Sequence, residues 1–147
     1  MIVYVDSSLV VRAYLEDEAG SVAAQRLLAD PSIAKYTGRW TRIEASAAFV
    51  RAARAGRLAE PVRSLGRLDT DLRPGGRIKV LTADNADIEA RALAIAREHG
   101  LRALDALHVA LASIAIPKLA DKGEPIAFAS RDGDQAGVAA ALGFAAV

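Results

Sequence analysis

The sequence predicts an α/β fold around a parallel β-sheet, and two observations lead to this prediction. Short apolar runs rich in β-branched residues alternate along the chain with longer stretches that carry apolar residues at helical spacing. The first run, residues 1–5, is apolar at every position, which is typical of a central strand buried on both faces. Strands that alternate with helices form parallel sheets. With 147 residues, the chain is expected to form one domain over residues 1–147.

Five strands are predicted, most of them from short apolar runs next to turn-forming or polar residues. They cover residues 1–5, 32–37, 78–81, 126–129 and 144–147. The turn Pro74-Gly75-Gly76 precedes the third strand, and the last strand is expected at an edge of the sheet.

Seven helices are predicted between and after these strands. Ser7 or Ser8 is expected to cap the first, which carries Val10 and Leu15. The others cover residues 20–29, 41–55, 58–72, 84–100, 104–120 and 135–142. Pro31 and Gly56 end the second and third helices, Asp84 caps the fifth, and Pro117 interrupts or ends the sixth.

Composition excludes several classes of protein. The chain has no cysteine, which excludes disulfides, thiolate metal sites and cysteine nucleophiles. Its longest apolar stretch, residues 106–116, is shorter than the roughly 18 residues of a membrane span and contains His108 and Ser113. The first residues run directly into Asp6 without the basic leader of a signal peptide. We therefore expect an intact, cytoplasmic protein.

Positive charge is concentrated in the middle of the chain. The net charge is only +1, but residues 39–79 hold ten basic and four acidic side chains, so this stretch is +6 and the rest is −5. Such an excess predicts one face that attracts polyanions. The candidate binding residues are Arg12, Arg51, Arg54, Arg63 and Arg67. Each of these arginines could equally belong to an ordinary solvated helix face.

Four carboxylates occupy unusual positions. Asp6 and Asp132 follow predicted buried strands, at the sheet edge where α/β proteins bind ligands. Asp105 opens a nearly all-apolar helix, where a carboxylate needs a hydrogen bond, a charge or a metal as partner. Glu44 is expected in the first turn of another apolar helix. The structural alternatives are N-caps for Asp6 and Asp105 and an interaction with the helix dipole for Glu44.

If these four acids converge, they cannot all stay ionised without a cation. Carboxylate oxygens select Mg²⁺ or Mn²⁺ over softer metals, and such ions activate water and stabilise a transferring phosphoryl group. A basic flank could hold a phosphodiester backbone over the site. The residues alone therefore predict metal-dependent phosphodiester hydrolysis. Asp134 could take the place of Asp132 in the cluster.

The chain also resembles the PIN-domain ribonucleases, and most closely the VapC-type toxins of bacterial toxin–antitoxin systems. The resemblance extends over essentially the whole chain. Its matching segments are Tyr4-Val5-Asp6-Ser7-Ser8-Leu9, Arg42-Ile43-Glu44-Ala45, Leu101 to Ala110 with the core Leu104-Asp105-Ala106-Leu107-His108, Ser130-Arg131-Asp132, and Leu142-Gly143-Phe144.

The resemblance implies a three-layer α/β/α fold, an acidic cluster that binds Mg²⁺ or Mn²⁺, and endoribonuclease activity on structured RNA such as tRNA or ribosomal RNA. It also implies a cognate antitoxin protein and a homodimer. The family's acids correspond to Asp6, Glu44, Asp105 and Asp132. Ser7 and Ser130 correspond to its hydroxyl residues, and Ser130 is expected to orient the last acid. The segment before Glu44 departs from the family pattern.

Other interpretations remain open at this point. His108 could act as a general base, but a half-buried histidine that bonds within the helix packing is the preferred interpretation. A non-catalytic RNA- or protein-binding module with the same fold is the alternative to an enzyme. A phosphatase of the haloacid-dehalogenase type is disfavoured, because position 8 is a serine rather than the second aspartate those enzymes use.

Overall fold

The first strand of the chain lies at the centre of the sheet, as its apolar sequence predicts. In the computed structural model, which describes all 147 residues, five strands run parallel in the order β3-β2-β1-β4-β5. They span β1 (Ile2–Val5), β2 (Ala34–Gly38), β3 (Ile78–Leu81), β4 (Ile126–Ala129) and β5 (Ala145–Ala146). Every residue of β1 is buried, because helices cover both faces of the sheet there.

Seven helices connect the strands and form the two outer layers. They are α1 (Ser7–Tyr14), α2 (Ser21–Ala29), α3 (Trp40–Arg54), α4 (Pro61–Leu72), α5 (Asn85–His99), α6 (Ala103–Ala115) and α7 (Gly133–Ala141). One apolar core packs α1 to α4 against the sheet, and a second core packs α5 to α7 against its other face. The α/β class and the three-layer arrangement are therefore confirmed.

Several predicted boundaries are wrong by a few residues. The third helix begins at Trp40, one residue earlier than predicted, and the fourth begins at Pro61, whose fixed φ suits a first turn. The sixth helix ends at Ala115, where a single 3₁₀ turn (Ile116–Lys118) containing Pro117 replaces the predicted continuation to residue 120. The final strand is only two residues long.

Helix ends that are marked by a capping residue were predicted more closely. Asp84 caps α5 and accepts hydrogen bonds from the backbone N–H groups of Ala86 and Asp87 at 2.9 and 3.2 Å. The same helix ends at Gly100, whose φ of +71° is easily reached only by a residue without a Cβ atom.

The carboxyl ends of β1 and β4 meet at one edge of the sheet. The two strands pair from Ile2 with Ile126 to Val5 with Ala129, and the Asp6 N–H donates to the Ala129 carbonyl at 2.9 Å. The segments that follow the two strands, which carry Asp6 and Asp132, are therefore neighbours in space.

No single helix combines the length and apolarity that a membrane crossing requires. Only α5 and the segment Ala103–Lys118, taken together as a pair bent by 120°, have the necessary length and composition.

Candidate active site

An open cavity of about 630 Å³ lies at the edge of the sheet where β1 and β4 end. All four predicted acids line it, together with two arginines. The lining consists of Asp6, Ser7, Ser8, Glu44, Arg102, Ala103, Leu104, Asp105, Arg131 and Asp132. Asp134 is exposed in the first turn of α7 and does not line the cavity. The structure therefore brings together residues that are up to 126 positions apart in the sequence.

Asp6 is almost completely buried, and two hydrogen bonds hold its carboxylate. Its Oδ2 accepts from the Ser8 N–H at 3.0 Å, so Asp6 itself caps α1 and the prediction of a serine cap is wrong. Its Oδ1 accepts from Gln135 Nε2 at 3.3 Å, and the Ser130 hydroxyl lies 3.5 Å from Oδ2. The capping and functional interpretations of Asp6 are compatible, because the capping carboxylate also lines the cavity.

Glu44 lies beyond the first turn of α3, because the helix begins at Trp40. The interpretation of Glu44 as a partner of the helix dipole is therefore wrong. Its Oε2 instead accepts from His108 Nε2 at 2.7 Å. Since a carboxylate is an acceptor only, Nε2 carries the proton, and His108 Nδ1 accepts from the Tyr4 hydroxyl at 2.7 Å.

His108 connects the core to the site. The prediction of a half-buried histidine bonded within helix packing is wrong on both counts: the side chain is 0% exposed and bonds to β1 and α3. Its Nε2 also lies 3.7 Å from Asp6 Oδ1. Burial raises the pKa of Tyr4 well above its usual value, and the charges of Asp6 and Glu44 raise it further. Tyr4 therefore stays protonated and able to donate.

Asp105 and Asp132 share one cation. Arg102 donates from Nε to Asp105 Oδ2 at 2.8 Å and from Nη2 to Asp132 Oδ2 at 2.9 Å. Asp105 thus has the charged partner that its position in an apolar helix demands. Asp132 also caps α7, because its Oδ1 accepts from the N–H groups of Asp134 and Gln135 at 3.0 Å.

The pKa of Asp105 lies above its usual value. Burial is the main cause that raises its pKa, and the charges of Asp6 and Asp132 raise it further. The hydrogen bond and charge of Arg102 lower the pKa but do not cancel these effects.

Gln135 is a site residue that sequence reasoning missed. It is 0% exposed and donates from Nε2 to both Asp6 Oδ1 and the Asp105 carbonyl at 3.3 Å, while its Oε1 accepts from the Ser130 hydroxyl at 2.5 Å. Ser130 Oγ in turn accepts from the Asp132 N–H at 3.0 Å. The available signal was a polar residue among apolar ones on the buried face of α7, with Val138 and Ala139.

The candidate arginines lie outside the acidic cavity. Arg12 packs beside Gly20, Arg51 and Arg54 are exposed in the last turn of α3, and Arg63 and Arg67 line a second cavity of about 430 Å³ on α4. The two arginines of the acidic cavity, Arg102 and Arg131, were missed. Arg102 lies one helical turn before Asp105 and Arg131 directly precedes Asp132, which is the signal that could have found them.

The donor set suits a hard divalent cation in its chemistry, because four carboxylates face one open cavity. In the arrangement described, no three His, Asp or Glu side chains come close enough together to hold one ion. The Arg102 guanidinium lies between two of the carboxylates.

Comparison with known proteins identifies the family. No curated protein matches the sequence. The sequence profile of the PIN domain matches residues 3–140, which extend from β1 into α7 and include every acid of the cavity. PIN domains are generally nucleases, and many use divalent metals. The profile match covers nearly the whole chain, and we conclude that the chain belongs to the PIN domain family.

Proposed function

We propose that this protein is an endoribonuclease that depends on Mg²⁺ or Mn²⁺ and forms the toxin component of a toxin–antitoxin pair. One observation carries the nuclease proposal: Asp6, Glu44, Asp105 and Asp132, from four separate segments of a PIN domain, line a single open cavity. A fold alone does not define an activity, but a convergent set of carboxylates at the ligand-binding edge of the sheet supports this one.

The four carboxylates of the cavity would supply oxygen ligands to the ion, and to do so they would have to come closer together than in the arrangement described. When bound, a divalent ion lowers the pKa of a water molecule and neutralises charge on the phosphate under attack. The chain's own residues position this machinery. Gln135 and Ser8 fix Asp6, His108 fixes Glu44, and Ser130 bonds to the backbone of Asp132. Such partners of ligating groups commonly hold them in orientation.

RNA is the proposed substrate, and the exposed arginines of α3 support it. Arg51 follows Glu44 by seven residues, so both lie on the same side of α3, about 10 Å apart along its axis. A strand whose scissile phosphate lies in the cavity could therefore place a neighbouring phosphate near Arg51. The resemblance to VapC-type toxins points to structured RNA, either tRNA or ribosomal RNA.

The same resemblance supports a cognate antitoxin and a homodimer, and RNA as substrate supports a cytoplasmic location. The antitoxin is proposed to cover the acidic cavity. The wall of the cavity carries the exposed Arg131 and Leu104, which a partner could contact.

The nuclease proposal is tested with purified protein and total cellular RNA, in Mn²⁺, in Mg²⁺ and in chelator. We expect discrete fragments that depend on the metal and disappear in Asp6→Asn. The variant removes one negative charge from the site, while asparagine remains a good N-cap for α1, so the fold should survive. Circular dichroism and thermal melting check that it does.

Cleavage by Asp6→Asn at the wild-type rate, or undiminished cleavage in chelator, would contradict the proposal. If the folded protein cuts no RNA and its melting temperature is unchanged by Mn²⁺ or Mg²⁺, the alternative of a non-catalytic binding module is favoured.

The toxin proposal has a separate test in cells. We expect induction of the wild-type chain to arrest growth and induction of Asp6→Asn to leave growth normal. Co-expression of the small protein encoded beside this chain's gene should restore growth and should yield a complex on size-exclusion chromatography. Normal growth on expression of an enzyme that cuts RNA in vitro would oppose the toxin role while leaving the nuclease intact.

A further inference from the structure

Arg102 is the only positively charged side chain bonded to the acids of the cavity. It precedes α6, and its guanidinium connects Asp105 on that helix to Asp132 on the loop before α7. The two bonds use different nitrogens, Nε and Nη2, at 2.8 and 2.9 Å. A planar guanidinium suits such a bridge because its donors point in fixed directions. The second arginine of the cavity, Arg131, bonds instead to Glu18.

The bridge occupies one oxygen of each carboxylate. Oδ2 of Asp105 and Oδ2 of Asp132 both accept from Arg102. The remaining Oδ1 of Asp132 caps α7. Both oxygens of Asp132 are thus engaged, so a divalent ion that binds Asp132 competes with the guanidinium for Oδ2, and the two positive charges repel each other at this distance.

The surroundings of Arg102 allow it to leave. Its side chain is 78% exposed, whereas the side chains of His108 and Gln135, which also bond to the acids, are completely buried. The guanidinium can move into solvent without disrupting the packing of the core, since long cationic side chains keep their heads in water at little cost.

We propose that Arg102 is a built-in counterion that competes with the divalent cation for Asp105 and Asp132. With the metal absent, the guanidinium balances the charge of the clustered acids. When a metal ion binds, competition for Oδ2 and charge repulsion displace the guanidinium. Arg102 therefore weakens the affinity of the site for metal and makes departure of its side chain part of metal loading. This inference rests on the proposed function, because it assumes that these acids bind a divalent ion.

The test compares Arg102→Gln with Arg131→Gln by calorimetric titration of the full-length proteins with Mn²⁺ alone. Both variants remove one positive charge from the wall of the same cavity, but only the first removes a contact with the acids. We expect Arg102→Gln to lower the Kd for Mn²⁺ about tenfold or more, equivalent to about 1.4 kcal/mol, and Arg131→Gln to lower it much less. Arg102→Lys should be intermediate, because lysine keeps the charge but loses the planar fork.

Thermal melting gives a second readout and checks folding. In chelator, Arg102→Gln should melt lower than the wild type, because the acids lose their counterion, and Mn²⁺ should raise its melting temperature by a larger increment. Equal Mn²⁺ affinities for the two glutamine variants, or weaker Mn²⁺ binding by Arg102→Gln, would overturn the proposed competition. The nuclease proposal would still stand in that case if the wild-type protein binds Mn²⁺ and cleaves RNA. Absence of Mn²⁺ binding in all the proteins would overturn both.

Discussion

Gln135 joins three parts of the candidate site from within the core. Its amide donates to Asp6 and to the Asp105 carbonyl, and its oxygen accepts from Ser130. A buried amide with three partners is well satisfied, and each partner would lose a hydrogen bond if the amide were removed. Gln135 therefore has a positioning role: it touches the acids rather than the substrate.

We predict that Gln135→Leu lowers the affinity for Mn²⁺ by about 10- to 100-fold, the usual range for partners of ligating groups. The free energy of unfolding should fall by about 1–3 kcal/mol, since buried polar atoms lose their partners. Calorimetric titration and urea unfolding measure the two effects, and Gln25→Leu on the exposed surface of α2 is the matched control. A loss of stability with unchanged metal affinity would refute the positioning role.

At the scale of single residues, the acids were predictable and their partners were not. Asp6 directly follows one strand, Asp132 lies three residues beyond the end of another, and Asp105 is in an apolar helix, so local sequence marks them as unusual. The contacts of His108 and Gln135 join residues 104, 64 and 129 positions apart. Only the packing of α3, α6 and α7 against the sheet decides such pairs, and no local pattern encodes it.

Among the elements, the junction between β2 and α3 lies against the residues that hold Glu44. Gly38 ends β2, and a Cβ atom there would lie 2.8 Å from the Tyr4 hydroxyl, 2.9 Å from Trp40 Cε3 and 3.2 Å from Leu111 Cδ2. The first two distances are too short for a carbon atom, so the neighbours would have to move. The Tyr4 hydroxyl bonds to His108, and His108 bonds to Glu44. A displacement of the hydroxyl would therefore also disturb the position of Glu44.

We predict that Gly38→Ala lowers the free energy of unfolding by about 1–3 kcal/mol, the usual cost of overpacking a core. Gly66→Ala in the interior of α4 is the control, because a Cβ atom there meets nothing within 4 Å. The control should gain about 0.5–1 kcal/mol from the higher helix propensity of alanine. Denaturant unfolding of both variants measures the difference, and equal stabilities would show that the junction tolerates a side chain.

Element order was predicted correctly, and so were the bounds of β3 and β4, while helix ends were predicted closely only where a capping residue determines them. Asp84 and Gly100 mark the ends of α5 by their chemistry. The start of α3 has no side-chain cap, so nothing in the sequence placed it at Trp40 rather than Thr41. Because α3 begins one residue earlier than predicted, Glu44 lies beyond the first turn, where an interaction with the helix dipole was expected.

Over the whole molecule, the acidic cavity and part of the basic region are connected by one helix, α3. The helix that brings Glu44 to the cavity carries Arg51 and Arg54 in its exposed last turn. The net charge of +1 does not indicate that acidic and basic groups are separated in this way. In the sequence, the only sign of the separation is a local excess of arginine. The order of secondary structure predicted the sheet and the clustering of the acids, but not which arginines line the cavity.

We predict that Arg51→Ala weakens RNA binding by the Asp6→Asn protein and reduces the slope of log Kd against log salt by about 0.7–0.9, the value for one lost phosphate contact. Arg91→Ala is the matched control, because Arg91 is exposed on α5 in the opposite layer. Fluorescence anisotropy over a salt series measures both slopes. Equal slopes for the two variants would show that RNA does not follow α3.

The order of the strands has a consequence for how the molecule meets copies of itself. Both outer strands are poor templates for a further strand: β5 has only two residues, and β3 presents an exposed Lys79. Short and charged edges oppose intermolecular backbone pairing and the fibrillar aggregates that grow from it. The proposed dimer is therefore expected to form through the outer faces of the helices, without pairing of β3 or β5 with a strand of the second copy.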